Sequence, residues 1–386
     1  MTTPATTPAA LHTRMAAYVA EGVAPGLVIA LARDGRVEVE AIGSTAFEGE
    51  PGRRPMGADT LFRITSMTKP VVAVAALMLV EEGTLQLDEA VDDLLPELAD
   101  RRVLTDPAGA LDDTVPAARP ITVEDLLSYR AGVGFDLDVG FPAGPYFAAA
   151  AELGLAIGPP VPASPWSADE WLRRLGTLPL LAQPGARWLY DTPADVLGVL
   201  VARAAGAPLP DVLEHLVFRP LGMRDTAFHV AGADAGRLAV CYADGPAGGP
   251  VRFDDGGQWT RPPAFPAGSC GLLSTAGDYA RFATALAAGD LLAPTTVARM
   301  GADRLTAAQH GSPLLGDRGW GLGVAVDPAG RYGWDGGFGT CWFTDPATGG
   351  VAVLMTQRMF CEPSMRLTDD FRDGALALFG ASLLEQ

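Results

Sequence analysis

Ser66-Met67-Thr68-Lys69 sets a hydroxyl and an amine three residues apart, and Lys69 is the only lysine among the 28 basic residues of this 386-residue chain. On a helix that spacing places both groups on one face, a turn apart. A serine hydroxyl attacks a carbonyl only when something takes its proton, and an amine can do so only while it is neutral. Burial disfavours ammonium, so a buried Lys69 is the expected base. Arginine stays protonated, so the other 27 basic residues cannot replace it. A lone Ser-x-x-Lys arises roughly once per chain of this length by chance. Here ten serines give a chance of about 1 in 39 that one stands three residues before the single lysine.

Competing chemistries lack their residues. His12, His215, His229 and His310 form no metal-ligand spacing, and Cys241, Cys270, Cys341 and Cys361 contain no C-x-x-C pair, so neither metal nor cofactor is expected. Ala267-Gly268-Ser269-Cys270-Gly271 lacks the first glycine of G-x-S-x-G. No glycine spacing before Lys69 makes a nucleotide-binding loop.

The elements that must position Ser66 and Lys69 are legible around them. Every residue from 71 to 80 is apolar and the run ends at Glu81-Glu82-Gly83, which predicts a buried helix with a glycine at its end. Pro70 suits its first turn, where amides have no intrahelical partner. Ser66 then sits at a helix N-terminus, whose positive end favours a developing oxyanion.

Two apolar runs at 26–32 and 37–43, joined through Asp34-Gly35, predict a hairpin. Residues 84–310 carry helical patterns at 123–129, 193–205, 209–216 and 276–288 between Pro/Gly-rich connections. The stretch 132–165, rich in Gly, Pro and aromatics, reads equally as a binding wall or a surface excursion. Strand-like runs return at 320–326, 339–344 and 349–356, and a helix at 365–379 ends the chain. The expected fold is α/β (α+β), a single unit over 1–386. An antiparallel sheet from segments about 11–83 and 311–386 is flanked by helices, with a mainly α-helical insertion at about 84–310.

Three stretches carry a family resemblance: Phe62-Arg63-Ile64-Thr65-Ser66-Met67-Thr68-Lys69, Arg219-Pro220-Leu221-Gly222-Met223-Arg224-Asp225-Thr226, and Gly271-Leu272-Leu273-Ser274-Thr275-Ala276-Gly277-Asp278. Over residues 20–360 the chain resembles the serine β-lactamase and penicillin-binding-protein superfamily, especially its class C-like branch and the related carboxylesterases. The resemblance implies a β-lactamase-like fold and makes Ser66 the nucleophile. It carries Tyr190, in Tyr190-Asp191-Thr192, into the site as a phenol sharing a proton with Lys69, with Thr192 where asparagine is common. Which of the two is the base stays open, because a phenol beside an amine titrates as a coupled pair.

Where the family carries Lys-Thr/Ser-Gly, this chain has Trp334-Asp335-Gly336-Gly337. On that register the amides of Ser66 and Gly337 form the oxyanion hole. One residue later, Asp335 takes the lysine position and Phe338 supplies the amide. Neither register offers a cation for a substrate carboxylate. A pocket of Trp334, Asp335, Gly336 and Thr192 is thus expected to take apolar acyl or alcohol groups. The resemblance implies a serine hydrolase acting on small-molecule carboxylic esters through a Ser66 acyl-enzyme. The alternatives are a β-lactamase, a D-amino-acid peptidase or amide hydrolase, an acyltransferase of the same superfamily, or a non-catalytic sensor or scaffold.

A net charge of −18 repels nucleic acid and anionic membrane surfaces, so neither is an expected partner, and it leaves the oligomeric state open. The first ten residues lack the basic and apolar regions of a signal peptide and no run of 18 apolar residues occurs, so a cytoplasmic protein is expected.

Overall fold

The computed structural model describes residues 7–384 apart from 138–141, 156, 247 and 255. The hairpin forms as its turn demands: β1 (Gly26–Arg33) and β2 (Arg36–Gly43) pair antiparallel, closing at Arg33 opposite Arg36. Asp34 and Gly35 both take positive φ, 51° and 73°, which matches the right-handed twist of the strands. β3 (Gly319–Trp320), β4 (Ala325–Val326), β5 (Tyr332–Gly336), β6 (Thr340–Asp345) and β7 (Gly350–Thr356) complete a seven-stranded sheet in the order β2-β1-β7-β6-β5-β4-β3. The two ends of the chain therefore meet at β1 and β7, with Leu27 opposite Thr356.

Helices α1 (Pro8–Ala20), α2 (Thr68–Glu81), α4 (Ala276–Ala288) and α5 (Glu362–Leu384) pack around this sheet, and α3 (Thr192–Ala205) packs on α2. Leu11 and Met15 of α1 and Leu367, Phe371 and Phe379 of α5 cover one face, against Ile29, Cys341, Phe343 and Leu354. The other face, with Val28, Trp342, Val353 and Met355, packs into the core that holds α2 and α4. Every residue of α2 from Thr68 to Leu77 is buried. Each buried Val or Leu there contributes about 1.5–3 kcal/mol relative to exposure, enough to hold the helix in place although it also buries the head of Lys69.

Differences from the sequence reading have local causes. α2 starts three residues before its apolar run because Thr68 and Lys69 are also buried. The opening Thr/Pro/Ala stretch is partly helical: Thr7 caps α1 through its hydroxyl, with proline in the first turn. The expected strand at 320–326 divides at Gly321 to Gly323 into β3 and β4, and β5, interrupted by glycines, carries no alternating pattern. The helix begun at Leu209 gives way to a π turn over Glu214–Phe218. Residues 132–165 contain a helix, Pro145–Glu152, while 138–141 and 156 lie outside the described residues. Two-stranded ribbons, Arg102–Leu104 with Thr114–Pro116 and Cys241–Asp244 with Pro250–Asp254, accompany the helices of the middle region. Among the described residues no single helix is long and apolar enough to cross a membrane.

Candidate active site

The short strand Phe62–Arg63, paired with Leu273–Ser274, delivers the chain to a tight turn, Thr65–Met67, that leads into α2. Ser66 lies in that turn and is only partly buried. Thr65 before it has φ 43°, a left-handed conformation costing a β-branched residue about 1–3 kcal/mol, so the turn is held by its surroundings. Tyr279 donates its hydroxyl to the Met67 carbonyl at 2.9 Å, and the Leu272 amide donates to Thr68 Oγ1 at 3.1 Å. From the sheet side β5 presses in at Gly336. A Cβ there would stand 2.3 Å from the Ile64 carbonyl and 2.6 Å from Thr65 Oγ1, so only glycine admits the strand this close.

Lys69 is fully buried, and its ammonium has three acceptors: Ser66 Oγ at 3.1 Å, Asp191 Oδ1 at 2.7 Å and the Ser269 carbonyl at 2.8 Å. Three donors meeting three acceptors satisfy the charged form completely. Burial alone would push its pKa down, but the Asp191 carboxylate, with Tyr190 and Cys270, outweighs it and holds Lys69 above the ordinary lysine value. The neutral amine expected from burial is therefore not the resting state. The reason is a carboxylate partner that the reading of Ser66 and Lys69 alone did not include.

Asp191 precedes α3 at the cap position yet makes no capping bond. Its φ of 79° is again left-handed, and its carboxylate bonds Lys69 instead. Tyr190, one residue earlier, is fixed by backbone bonds to Phe135 in both directions, at 2.7 and 3.0 Å. Its hydroxyl accepts the indole N–H of Trp334 at 2.7 Å, and the nearby Ser66 hydroxyl also favours its ionised form. Lys69 Nζ stands 4.5 Å from the centre of its ring. Burial raises the Tyr190 phenol above its ordinary value, while Lys69 and the bonds from Ser66 and Trp334 pull the other way.

Ser66, Lys69 and Tyr190 thus come together, joined by Trp334. That indole, 5% exposed, offers substrate little apolar surface and chiefly holds the phenol oxygen. Asp335 points to the opposite face of the sheet, where it pairs with Arg372 of α5 and, at 3.4 Å, with Arg318. Successive strand residues face opposite ways, so only one of the two could reach Tyr190. Gly336 lies against the turn that carries Ser66, and Thr192 is buried at the start of α3. The space beside Gly337 is open, whereas the Phe338 ring packs on Phe253 at 5.7 Å.

Asp191 and Ser269 are the polar groups that motif reading missed. Asp191 lies inside the Tyr190-Asp191-Thr192 motif, but the family pattern draws attention to the residue after it. Ser269 acts through its carbonyl, which leaves no signature in residue type. Among the described residues no group of three or more His, Cys, Asp and Glu side chains is arranged to hold a metal ion.

The family model Beta-lactamase matches residues 11–377. Protein Rv1367c of Mycobacterium tuberculosis is 40% identical over 329 residues, 78% of this chain and 79% of that one. Esterase EstB of Burkholderia gladioli is 36% identical over 381 residues, 91% of each chain. Among solved structures, EstCE1, described as a hydrolase with promiscuous acyltransferase activity, superposes with a TM-score of 0.77 at 30% identity, over 96% of this chain and 98% of its own.

Proposed function

The chain belongs to the beta-lactamase family, and from that membership and the geometry around Ser66 we propose that it is a carboxylesterase acting on small neutral esters through a Ser66 acyl-enzyme. The observation that carries this reading is the hydrogen bond of Lys69 to Ser66 at 3.1 Å, with Tyr190 beside them, in a site whose fourth member is the neutral Trp334. Cations that could hold a β-lactam carboxylate are engaged elsewhere, Lys69 by Asp191 and Arg318 by Asp335. The similarity to Esterase EstB supports the same choice.

Because Lys69 donates to Ser66 Oγ, the serine proton is free to point at the phenol oxygen of Tyr190. In the working form that oxygen has released its own proton to solvent. It takes the Ser66 proton as Oγ attacks the ester carbonyl carbon, then passes it to the departing alkoxide, which leaves as the alcohol. Lys69 stays charged and, with the Trp334 N–H, stabilises the phenolate. The amides of Ser66 and Gly337 receive the tetrahedral oxyanion. Water repeats the sequence: it yields a proton to Tyr190 while attacking the acyl carbon, and Ser66 departs with that proton.

The four unpaired cysteines, Cys241, Cys270, Cys341 and Cys361, suit a reducing compartment, so a cytoplasmic location belongs to this reading. A fluorophosphonate is expected to label the wild-type protein and not Ser66→Ala, whose kcat/KM on a short-chain aryl ester falls by about 10⁴ or more. The aryl ester should be turned over far faster than a chromogenic cephalosporin. Preference for the lactam, or undiminished labelling of Ser66→Ala, overturns the proposal. The resemblance to EstCE1 favours one added outcome, transfer of the acyl group to an alcohol supplied with the ester.

A further inference from the structure

A cavity of about 350 Å³ opens between residues 158–171 and 263–271, lined in part by Asp191 and Ser269, which bond Lys69. Trp166, Trp171, Phe228 and Phe265 wall it together with the prolines of 159–165, and Trp171 stacks on Phe265 at 4.7 Å. Two carboxyl groups, Asp191 and Asp195, also line it. Asp191 is engaged with Lys69, one negative charge against one positive. Asp195 is buried, with one oxygen accepting the Ser269 amide at 2.8 Å. Burial, then the Asp191 charge, push Asp195 up to about 7, against the Ser269 bonds and the pull of Lys69. Its remaining neighbours are neutral: the Cys270 thiol is pushed up to about 12 by burial, and the Tyr129 phenol lies well above its ordinary value. Arg174, stacked on Trp166, is itself paired with Glu170. A largely apolar cavity is thus lined by two acidic groups, of which only Asp191 has a cationic partner.

We propose that this cavity binds a monocation with an apolar body, a protonated amine on an aromatic or branched aliphatic group, its ammonium lodged between Asp191 and Asp195. The aromatic and proline walls take the body, and the ammonium supplies the charge that Asp195 lacks. Binding replaces a proton by a cation, so Asp195 ionises as the ligand enters and one proton goes to solvent. Affinity accordingly rises with pH up to about neutrality, approaching tenfold per pH unit on the acidic side, and levels off above. The site is read by binding and not by turnover, so it stands or falls separately from the esterase proposal.

Calorimetry on the full chain with 2-phenylethylamine and its neutral counterpart 2-phenylethanol, below, near and above neutral pH, tests this. The amine is expected to bind at least tenfold more tightly than the alcohol, with proton release. Asp195→Asn should abolish both the pH dependence and that preference. Trp166→Ala should weaken the amine while leaving its pH dependence, which keeps the test open should Asp195→Asn fail to fold. Equal binding of amine and alcohol, affinity independent of pH in the wild type, or no binding of the amine overturns the proposal.

Discussion

Removing the charge of Asp191 takes from Lys69 the partner that outweighs its burial, and takes from Tyr190 one of the charges that keep its phenol protonated. Both groups then lose protons more readily. In the proposed mechanism activity appears as Tyr190 deprotonates, and a pKa raised above the ordinary phenol value puts that rise on the alkaline side. Asp191→Asn should therefore move the rising limb of kcat/KM toward neutral pH. Trp334→Phe keeps an aromatic ring but deletes the N–H that favours phenolate, so it should move the limb to higher pH. Profiles of the three proteins check both signs. A limb lowered by Asp191→Asn but unmoved by Trp334→Phe assigns the titration to Lys69 instead.

β5 divides its work between its faces. Trp334 bonds Tyr190 on one side and Asp335 bonds α5 on the other, while Gly336 closes on the turn that carries Ser66. The pairing with Arg372 and Arg318 holds the half-buried Asp335 carboxyl below the ordinary carboxylate range although burial opposes it. A lowered folded-state pKa adds stability that is present above the unfolded value and lost as pH falls through the lowered one. Arg372→Ala leaves the carboxylate only its longer contact with Arg318, at a cost of about 2–3 kcal/mol at neutral pH that shrinks on acidification. Urea unfolding at neutral and acidic pH measures this, and a variant as stable as wild type at neutral pH shows that the pair does not anchor α5. None of this division was legible beforehand. Trp334-Asp335-Gly336-Gly337 reads as one pocket motif until the pleat sends neighbouring side chains to opposite faces. Helices α2, α3 and α4, by contrast, were legible to within a few residues, since apolar runs and terminal glycines are local signals.

At the scale of the molecule, a net charge of −18 surrounds a site whose cations Lys69 and Arg318 are already paired. Cationic esters should outpace anionic esters of equal size by about tenfold in kcat/KM at low ionic strength, and added salt should narrow the gap as the Debye length shortens. A ratio indifferent to salt excludes steering. The sequence by itself determined the Ser66–Lys69 pair, the buried helix behind it, the hairpin, and a sheet closed by the two chain ends, because spacing, apolar runs and turn residues act over short distances. Only the tertiary structure decided that Lys69 rests charged, that Trp334 serves Tyr190, and that Asp335 turns away. Lys69 meets Asp191 across 122 residues and Ser269 across 200, and Trp334 meets Tyr190 across 144. At such separations the backbone's path sets which side chains meet, and a shift of one residue along a strand reverses the face that each presents.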